Sequence, residues 1–387
     1  MRFLHTADWH LGKTLRGHSR QAEHEKVLDE LARAAVDARV DAVLIAGDVY
    51  DGAMPPPEAE ALAFDFLARL RAHDIPCVLI AGNHDQPKKL AALRGLLESL
   101  RIHVRAEPRP ADQGGVVELR ARDGNERALV AALPFVPERK VVDATTLLAA
   151  EQAGHVRYAE RIADVLAVLA RSFTPSTVNL VLAHVLVSGA RFGTGERQLH
   201  LGEIYALPPE RLPPTAHYCA LGHLHRPQEI QGAPCRAAYA GSPIELDFGE
   251  REQQKRAVLV EARPGLPAKL EEVPLAGGRA LRDLEGTLAE LERAAAGAGD
   301  AWLRVTVHVQ APEAGVEEKV RRVLPNALEV RQQWPREAAA AAPAPAVARD
   351  PQQLFAAFCR RDSGTEPRPA LLELFAELHA EAAGETP

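Results

Sequence analysis

Apolar and polar positions follow two alternating patterns over the first hundred residues. "MRFLHTAD" (1–8), "DAVLIAGD" (41–48) and "IPCVLIAGNHD" (75–85) are short, nearly continuous apolar runs of strand type. Between them, 19–38, 56–73 and 87–100 carry helical periodicity, and the second of these opens on prolines, which suit a helix start. Buried strands separated by helices predict a βαβ sheet covered on both faces. After residue 115 the strand-type runs come closer together: "VVEL", "ALVAALP", "VNLVLAH", "HYCALGH", "AAYAG" and "AVLVEA". One helix near 144–172 interrupts them. This second group reads as a mixed or antiparallel sheet lying against the first.

Proline and glycine at 264–279 read as a boundary. Beyond it, Leu281, Leu284, Leu288 and Leu291 form one helical stripe. "LRVTVHV" (303–309) alternates, with Leu303, Val305, Val307 and Val309 inward, and Val316, Val320 and Val323 suggest a second helix. The expected domains are 1–265, a small α+β module at 278–336, an Ala/Pro linker at 337–349 and a helical segment at 350–387. That last segment holds two amphipathic stretches, one with Leu354, Phe355 and Phe358, the other with Leu371, Leu372, Phe375 and Leu378. So short a piece cannot bury such faces alone, so it is expected to dock on a partner.

Composition narrows the functional classes. The chain has 387 residues, 47% of them hydrophobic, and a formal net charge of −7. General attraction to a polyanion is therefore not expected, and any nucleic acid must be met locally, through bound cations or through a partner. The four cysteines stand apart without a CxxC pair, which fits a reducing cytoplasm and argues against a disulfide framework or a thiolate zinc site. No secretory h-region opens the sequence and no apolar run reaches membrane-span length, so a cytoplasmic protein is expected. No GxxxxGK[ST] occurs, so any use of ATP belongs to a partner.

The chemistry sits at the strand ends. The first run ends in Asp8 and His10, the second in Asp48 and Asp51, the third in Asn83, His84 and Asp85. Later, "LVLAH" ends at His184 and "LGHLH" supplies His223 and His225. Ligand crevices in α/β sheets lie outside the carboxyl ends of the strands, so these segments are expected to converge. Asp8/His10 and His223/His225 are i, i+2 pairs that point to one side in extended backbone. Oxygen and imidazole donors without thiolates suit Mn²⁺, Fe²⁺ or Zn²⁺, with Mn²⁺ the favoured ion. Any one of these histidines alone reads better as an ordinary core or surface residue. Leaving the whole set unpartnered at buried strand ends would cost about 1–3 kcal/mol each.

"HTADWHLG", "AGDVYD", "AGNHD", "LAH" and "LGHLH" resemble, in order, the five motifs of the calcineurin-like metallophosphoesterases. "HTADWHLGK" and "CALGHLHRPQEI…YAGSPIELDFGE" resemble one branch of that superfamily, the bacterial nuclease subunits that work with an SMC-like ABC ATPase. The resemblance covers about residues 1–260, and the order of cap, linker and terminal helices matches as well. It implies an α/β (α+β) fold, a four-layer αββα sandwich with a small α+β cap domain and C-terminal helices.

The resemblance also implies two divalent ions. Asp8, His10, Asp48 and His225 would hold one, and Asp48, Asn83, His184 and His223 the other, with Asp48 shared. His84 would act on the substrate and Asp51 would orient it. His5 and Asp85 would support the ligands or serve only the fold. Arg16, His18 and Arg20 either contact DNA or form a solvated helix entry. Arg304, His308, Arg321 and Arg322 would face DNA from the cap by resemblance, while their sequence pattern favours a solvated face. The helix faces at Leu62/Phe66 and Leu93/Leu97 would form a homodimer bundle within a heterotetramer, or pack on the sheet. Residues 350–387 would bind the ATPase partner. The expected activity is ATP-dependent exonuclease action on duplex DNA and endonuclease action on hairpins and single strands. A general phosphodiesterase and a DNA-tethering scaffold are the alternatives.

Overall fold

The computed structural model describes residues 1–137, 151–193, 206–335, 351, 353–356, 359 and 367–383. Strands Arg2–Thr6 (β1), Ala42–Ile45 (β2), Cys77–Ile80 (β3) and Ile102–Arg105 (β4) run parallel and alternate with helices Gln21–Asp37 (α1), Pro57–Ala72 (α2) and Pro87–Ser99 (α3). Successive side chains of a strand point to opposite faces, which is why continuous apolar runs serve two layers at once. One face of this sheet, with Leu4, Val43, Ile45, Cys77 and Leu79, lies under Leu28, Leu31, Phe66, Leu70, Leu90 and Leu97 of the helices. The other face, with Phe3, Leu44, Val78 and Ile80, packs on a second sheet through Val117, Val130, Leu180, Leu182 and Tyr218.

The second sheet contains Val116–Arg120 (β5), Arg127–Leu133 (β6), Val178–His184 (β7), Tyr218–Gly222 (β8), Gln228–Glu229 (β9) and Arg236–Tyr239 (β10), in the order β9-β10-β8-β7-β6-β5. Its four middle strands are parallel and its edges antiparallel. Helix Glu151–Ala170 (α4) covers the outer face with Tyr158, Ile162, Leu166 and Leu169. The layers are thus helix, sheet, sheet, helix, as the resemblance implies. Phe66 and Leu97 are buried in the outer helical layer, with Leu62 and Leu93 packed against it, so these faces serve the sheet.

Three expectations are corrected. "AVLVEA" belongs to Arg256–Arg263 (β11), which joins the first sheet antiparallel to β1 instead of the second. The supposed boundary after residue 264 contains Leu266–Pro274 (β12), the edge strand of that sheet. Gly265 makes the turn between them at φ 73°, and Pro274 is tolerated because it ends an edge strand. The leucine stripe at 281–291 spans two elements. Leu281–Gly286 (β13) is a strand, and the helix Leu288–Ala298 (α5) starts only behind Thr287, whose side chain forms a capping box with Glu290.

Trp302–His308 (β14), Val316–Val323 (α6) and Ala327–Gln333 (β15) complete this module as a three-stranded parallel sheet in the order β13-β14-β15. Leu303, Val305 and Val307 point inward as expected, while Val309 lies past the strand end. Residues 1–308 and 313–333 form one compact unit. Within it the module docks on the sandwich through Leu15, Phe248, Leu281, Trp302 and Leu328. The other unit, 309–312 with 334–387, contains helix Pro369–Ala383 (α7), and Phe355 stacks on Phe375 with ring centroids 4.3 Å apart. The linker expected at 337–349, the helix start at 144–150 and Phe358 lie outside the described residues. Among the described residues no helix is long and apolar enough to cross a membrane.

Candidate metal centre

The carboxyl ends of β1, β2 and β3 in one sheet meet those of β7 and β8 in the other. Asp8 accepts hydrogen bonds from the His223 amide at 2.9 and 3.2 Å, and His184 Nδ1 donates to the Ala46 carbonyl at 2.7 Å. Both contacts cross from sheet to sheet. Asp8, His10, Asp48 and His223 all have positive φ, at 52°, 49°, 50° and 107°. Such conformations cost about 1–3 kcal/mol each for non-glycine residues, and they persist where the surroundings over-determine them. Here Asp8 N bonds Gly47 O (3.0 Å), His10 N bonds Asp48 O (3.0 Å) and Leu11 N bonds Val49 O (2.9 Å), so the turns after β1 and β2 lock each other. Two glycines permit the close approach. A Cβ on Gly82 would stand 2.0 Å from Asp48 Oδ1, and one on Gly47 2.4 Å from His184 Nδ1.

Asp48 stands at the middle. Its Oδ2 lies 3.7 Å from His10 Nε2 and 3.5 Å from His184 Nε2. Donor atoms of His10, Asp48 and His84 lie within 4.8 Å of one another, as do those of Asp8, Asp48 and His184. Asn83 Oδ1 sits 2.9 Å from both His184 Nε2 and His223 Nδ1. The His225 ring meets that of His10 edge to face, with centroids 4.8 Å apart.

The supporting contacts fix which nitrogen faces inward. His10 Nδ1 is 3.3 Å from Asp51 Oδ1, His184 Nδ1 is on Ala46 O, and His225 Nδ1 is 2.7 Å from Glu250 Oε1. A carboxylate or carbonyl on Nδ1 orients the ring and presents Nε2, the usual support of a metal-binding histidine. His10 Nε2 is buried and has no hydrogen-bond partner. A buried lone pair without a donor, beside two carboxylates and further imidazoles, fits a divalent cation.

Electrostatics point the same way. Burial, together with the neighbouring Asp48 charge, raises Asp8 to about 7 despite the opposing pull of His184 and His225. Burial works against a charged His184, but Asp48 and Asp8 outweigh it and lift the ring to about 9. Burial holds His10 down at about 4 and His223 at about 3. Without a cation the pocket thus gathers protons around its two carboxylates.

Residues 1–227 match the calcineurin-like phosphoesterase family, and residues 278–363 match the SbcD C-terminal family, described as the type 5 capsule protein repressor C-terminal domain. The chain is 36% identical to SbcD of the SbcCD nuclease of Bacillus subtilis (strain 168) over 282 residues, covering 73% of this chain and 71% of that protein. For the SbcD protein of Rhodobacter capsulatus identity is 38%, over 65% and 64% of the two chains, and for that of Escherichia coli (strain K12) 34%, over 75% and 72%. The chain belongs to the SbcD branch of the calcineurin-like phosphoesterases. It is accordingly a metal-dependent phosphodiesterase of the nuclease type.

In this SbcD-family chain the residues singled out from sequence meet different fates. Asp8, His10, Asp48, Asn83, His84, His184, His223 and His225 gather at one place. His84 is exposed at the rim; its amide donates to Asp48 Oδ1 (2.8 Å) and its Nδ1 to the Asp51 carbonyl (2.8 Å). Asp51 therefore touches His84 through its main chain. Its carboxylate faces His10 and, at 3.0 Å, Lys13, which outweigh burial and hold it at about 2. Asp85 is buried and accepts from the amides of Gly82, Tyr50 and Val49, tying the turns after β2 and β3 together. His5 bonds the Tyr218 hydroxyl at 2.8 Å inside the sandwich.

Arg20 is no DNA contact. It is fully buried, paired twice with Glu23 (2.5 and 2.7 Å) and bonded to Glu245 O (2.8 Å). Glu23 also accepts from Trp302 Nε1 and the Arg279 amide, so this pair fastens the cap module to the sandwich. Arg16 pairs with Glu329 and His18 rests against Trp302, on the same junction. Arg304 forks onto Asp283, His308 meets Glu285, and Arg321 and Arg322 pair with Glu317 and Glu318, so each of these cap side chains has a carboxylate within its own module.

The sequence reading missed three supports. Glu250 holds His225 and also accepts from Lys255 Nζ (2.7 Å), Ser242 Oγ (3.1 Å) and Leu246 N (3.1 Å). Lys255, itself buried, closes this network. Phe135 stacks on His223 and meets His184 edge-on. Glu250 opens the charged and polar run "EREQQKR", so no local pattern set it apart from a solvated carboxylate.

Proposed function

We propose that this chain is the nuclease component of an SbcCD-type complex, cleaving DNA phosphodiester bonds with two divalent ions, Mn²⁺ by preference. Asp8, His10, Asp48 and His225 would hold one ion, and Asp48, Asn83, His184 and His223 the other. The observation that carries this reading is the meeting of five strand-end motifs around a single carboxylate, Asp48, with a buried, unpartnered His10 Nε2 beside it.

When bound, the ions supply Lewis-acid charge for attack on phosphorus and for the departing oxygen. Two divalent ions bring four positive charges and Asp8 and Asp48 return two, so a mildly acidic protein presents a positive point to a phosphodiester. Asn83 contributes a ligand oxygen without reducing that charge. Its neighbour His84 stands exposed at the rim with Nδ1–H on the Asp51 carbonyl, which leaves Nε2 facing the substrate; as the imidazolium it would donate the Nε2 proton to the phosphate or leaving oxygen. Asp51 and Glu250 orient His10 and His225. In the complex, residues 350–387 dock on an SbcC-type ATPase, which supplies the ATP dependence, and two SbcD-type chains pair within a heterotetramer. The exposed Leu354, Leu371, Leu374 and Leu378 support that docking. The activities are exonuclease action, 3′ to 5′, on duplex DNA and endonuclease action on hairpins and single strands, in repair, replication and recombination.

The test is cleavage of linear and hairpin duplex DNA with Mn²⁺, with and without the ATPase partner, beside chelator controls and bis-p-nitrophenyl phosphate. Mn²⁺-dependent DNA cleavage extended by the ATPase supports the reading. Hydrolysis of the small diester alone makes the chain a general phosphodiesterase, and DNA retention without cleavage makes it a tether.

A further inference from the structure

The four cysteines are scattered in sequence, yet two of them meet. Cys219 is buried in β8, and Cys235 is half-buried immediately before β10, the strand that pairs in parallel with β8 and sets Ala237 opposite Cys219. Their sulfurs are 3.4 Å apart, and both are free thiols. A solitary buried thiol in apolar surroundings is inert. This pair differs because each thiol has the other as its neighbour, on two strands held in register.

We propose that Cys219 and Cys235 are a modification site, oxidised by hydroperoxides to a reversible disulfide that fastens the segment carrying His223 and His225. The two cysteines bracket that segment, so the bond closes a ring around both histidines. The chemistry balances without a cofactor. The Cys235 thiolate attacks the peroxide oxygen, giving a sulfenic acid and water or an alcohol. The Cys219 sulfur then displaces water from it, forming the S–S bond. Two thiols are oxidised, and one peroxide is reduced. The roles follow from placement: Cys235 is the one solvent reaches. The hydrogen bond from Cys219 also holds the Cys235 thiol below its ordinary range despite burial, while that bond and burial push Cys219 well above its own. A thiol–disulfide reductant or dithiothreitol reverses the reaction.

The experiment uses the full chain carrying Cys359→Ser, which removes the other cysteine that is not buried. It is treated with hydrogen peroxide without denaturant and digested under non-reducing conditions. The expected product is a peptide pair linking Cys219 to Cys235 within one chain, two hydrogens lighter than the reduced pair, and absent after dithiothreitol. Amide exchange across 222–235 should slow on oxidation. Neither change should occur when Cys235→Ser or Cys219→Ala is added, and a cooperative melt of each variant confirms that it is folded. Over-oxidation of Cys235 with Cys219 still reduced, a link between chains, a link formed only in denaturant, or unchanged exchange in the cross-linked protein would each overturn the proposal. None of these readouts requires nuclease activity or bound metal.

Discussion

Glu250 tests the logic of the centre because it does two separable things. Its Oε1 orients His225, and its Oε2 neutralises a buried ammonium, Lys255, at 2.7 Å. Glu250→Gln keeps the shape and removes the charge. Removing one partner of a buried ion pair costs about 3–5 kcal/mol. Lys255 retains three acceptors, Ser242 Oγ, Gln253 Oε1 and His225 O at 2.8–3.1 Å, so the lower end, about 3 kcal/mol, is expected. Loss of the carboxylate behind His225 should weaken divalent-ion binding about 10–100-fold, or ~1.4–2.7 kcal/mol. Urea unfolding of the metal-free protein reads the first effect, and calorimetric Mn²⁺ titration reads the second. Adding Lys255→Met removes the stranded charge and should restore most of the stability while leaving the ion affinity low. A folded Glu250→Gln protein that binds Mn²⁺ as tightly as wild type refutes the claim that Glu250 acts through His225.

Asn83→Ala should leave one ion bound where wild type binds two, by metal analysis after gel filtration; two retained ions reject Asn83 as a ligand. His84→Ala should keep both ions and lose about 10²–10⁴-fold in turnover, and an unchanged cleavage rate removes it from the chemistry. Arg20→Met should destabilise the protein by about 3–5 kcal/mol through the stranded Glu23, with little change in DNA affinity once folded; a selective loss of DNA binding restores the contact role. Burial works to raise Glu23, but Arg20, Trp302 and the Arg279 amide outweigh it and hold it below its ordinary 4.5. Its stabilising share is thus complete above about pH 4.5 and is lost as pH falls through the lower folded value; Glu23→Gln should flatten that acid limb of the stability curve. A chain ending before residue 350 should keep Mn²⁺-dependent cleavage of simple substrates and fail to co-purify with the ATPase partner.

The site was legible from sequence because its chemistry is written locally. A buried strand that ends in Asp, His or Asn announces itself, and topology brings such ends together. What sequence could not show is the backbone strain: nothing in "ADWH" indicates that Asp8 and His10 both take positive φ, since that follows from the interlocked turn after β2. Long-range supports were invisible for the same reason. His225 and Glu250 are 25 residues apart, and their contact depends on how the chain returns after β10. Arg20 was misjudged because an arginine in a polar loop looks solvated until Glu23, one turn on, is seen to bury it. In the cap, leucines at 281, 284, 288 and 291 imitate a helical period across a strand and a helix. The Thr287–Glu290 capping box was the local cue that placed the helix start correctly.

The central claim is that Asp48 is shared by two divalent ions at the junction of the two sheets. Anomalous scattering from a Mn²⁺-soaked crystal tests it most directly. The account predicts two peaks flanking the Asp48 carboxylate, one toward His10 and His225, the other toward His184, His223 and Asn83. A single peak, or peaks away from Asp48, would contradict it.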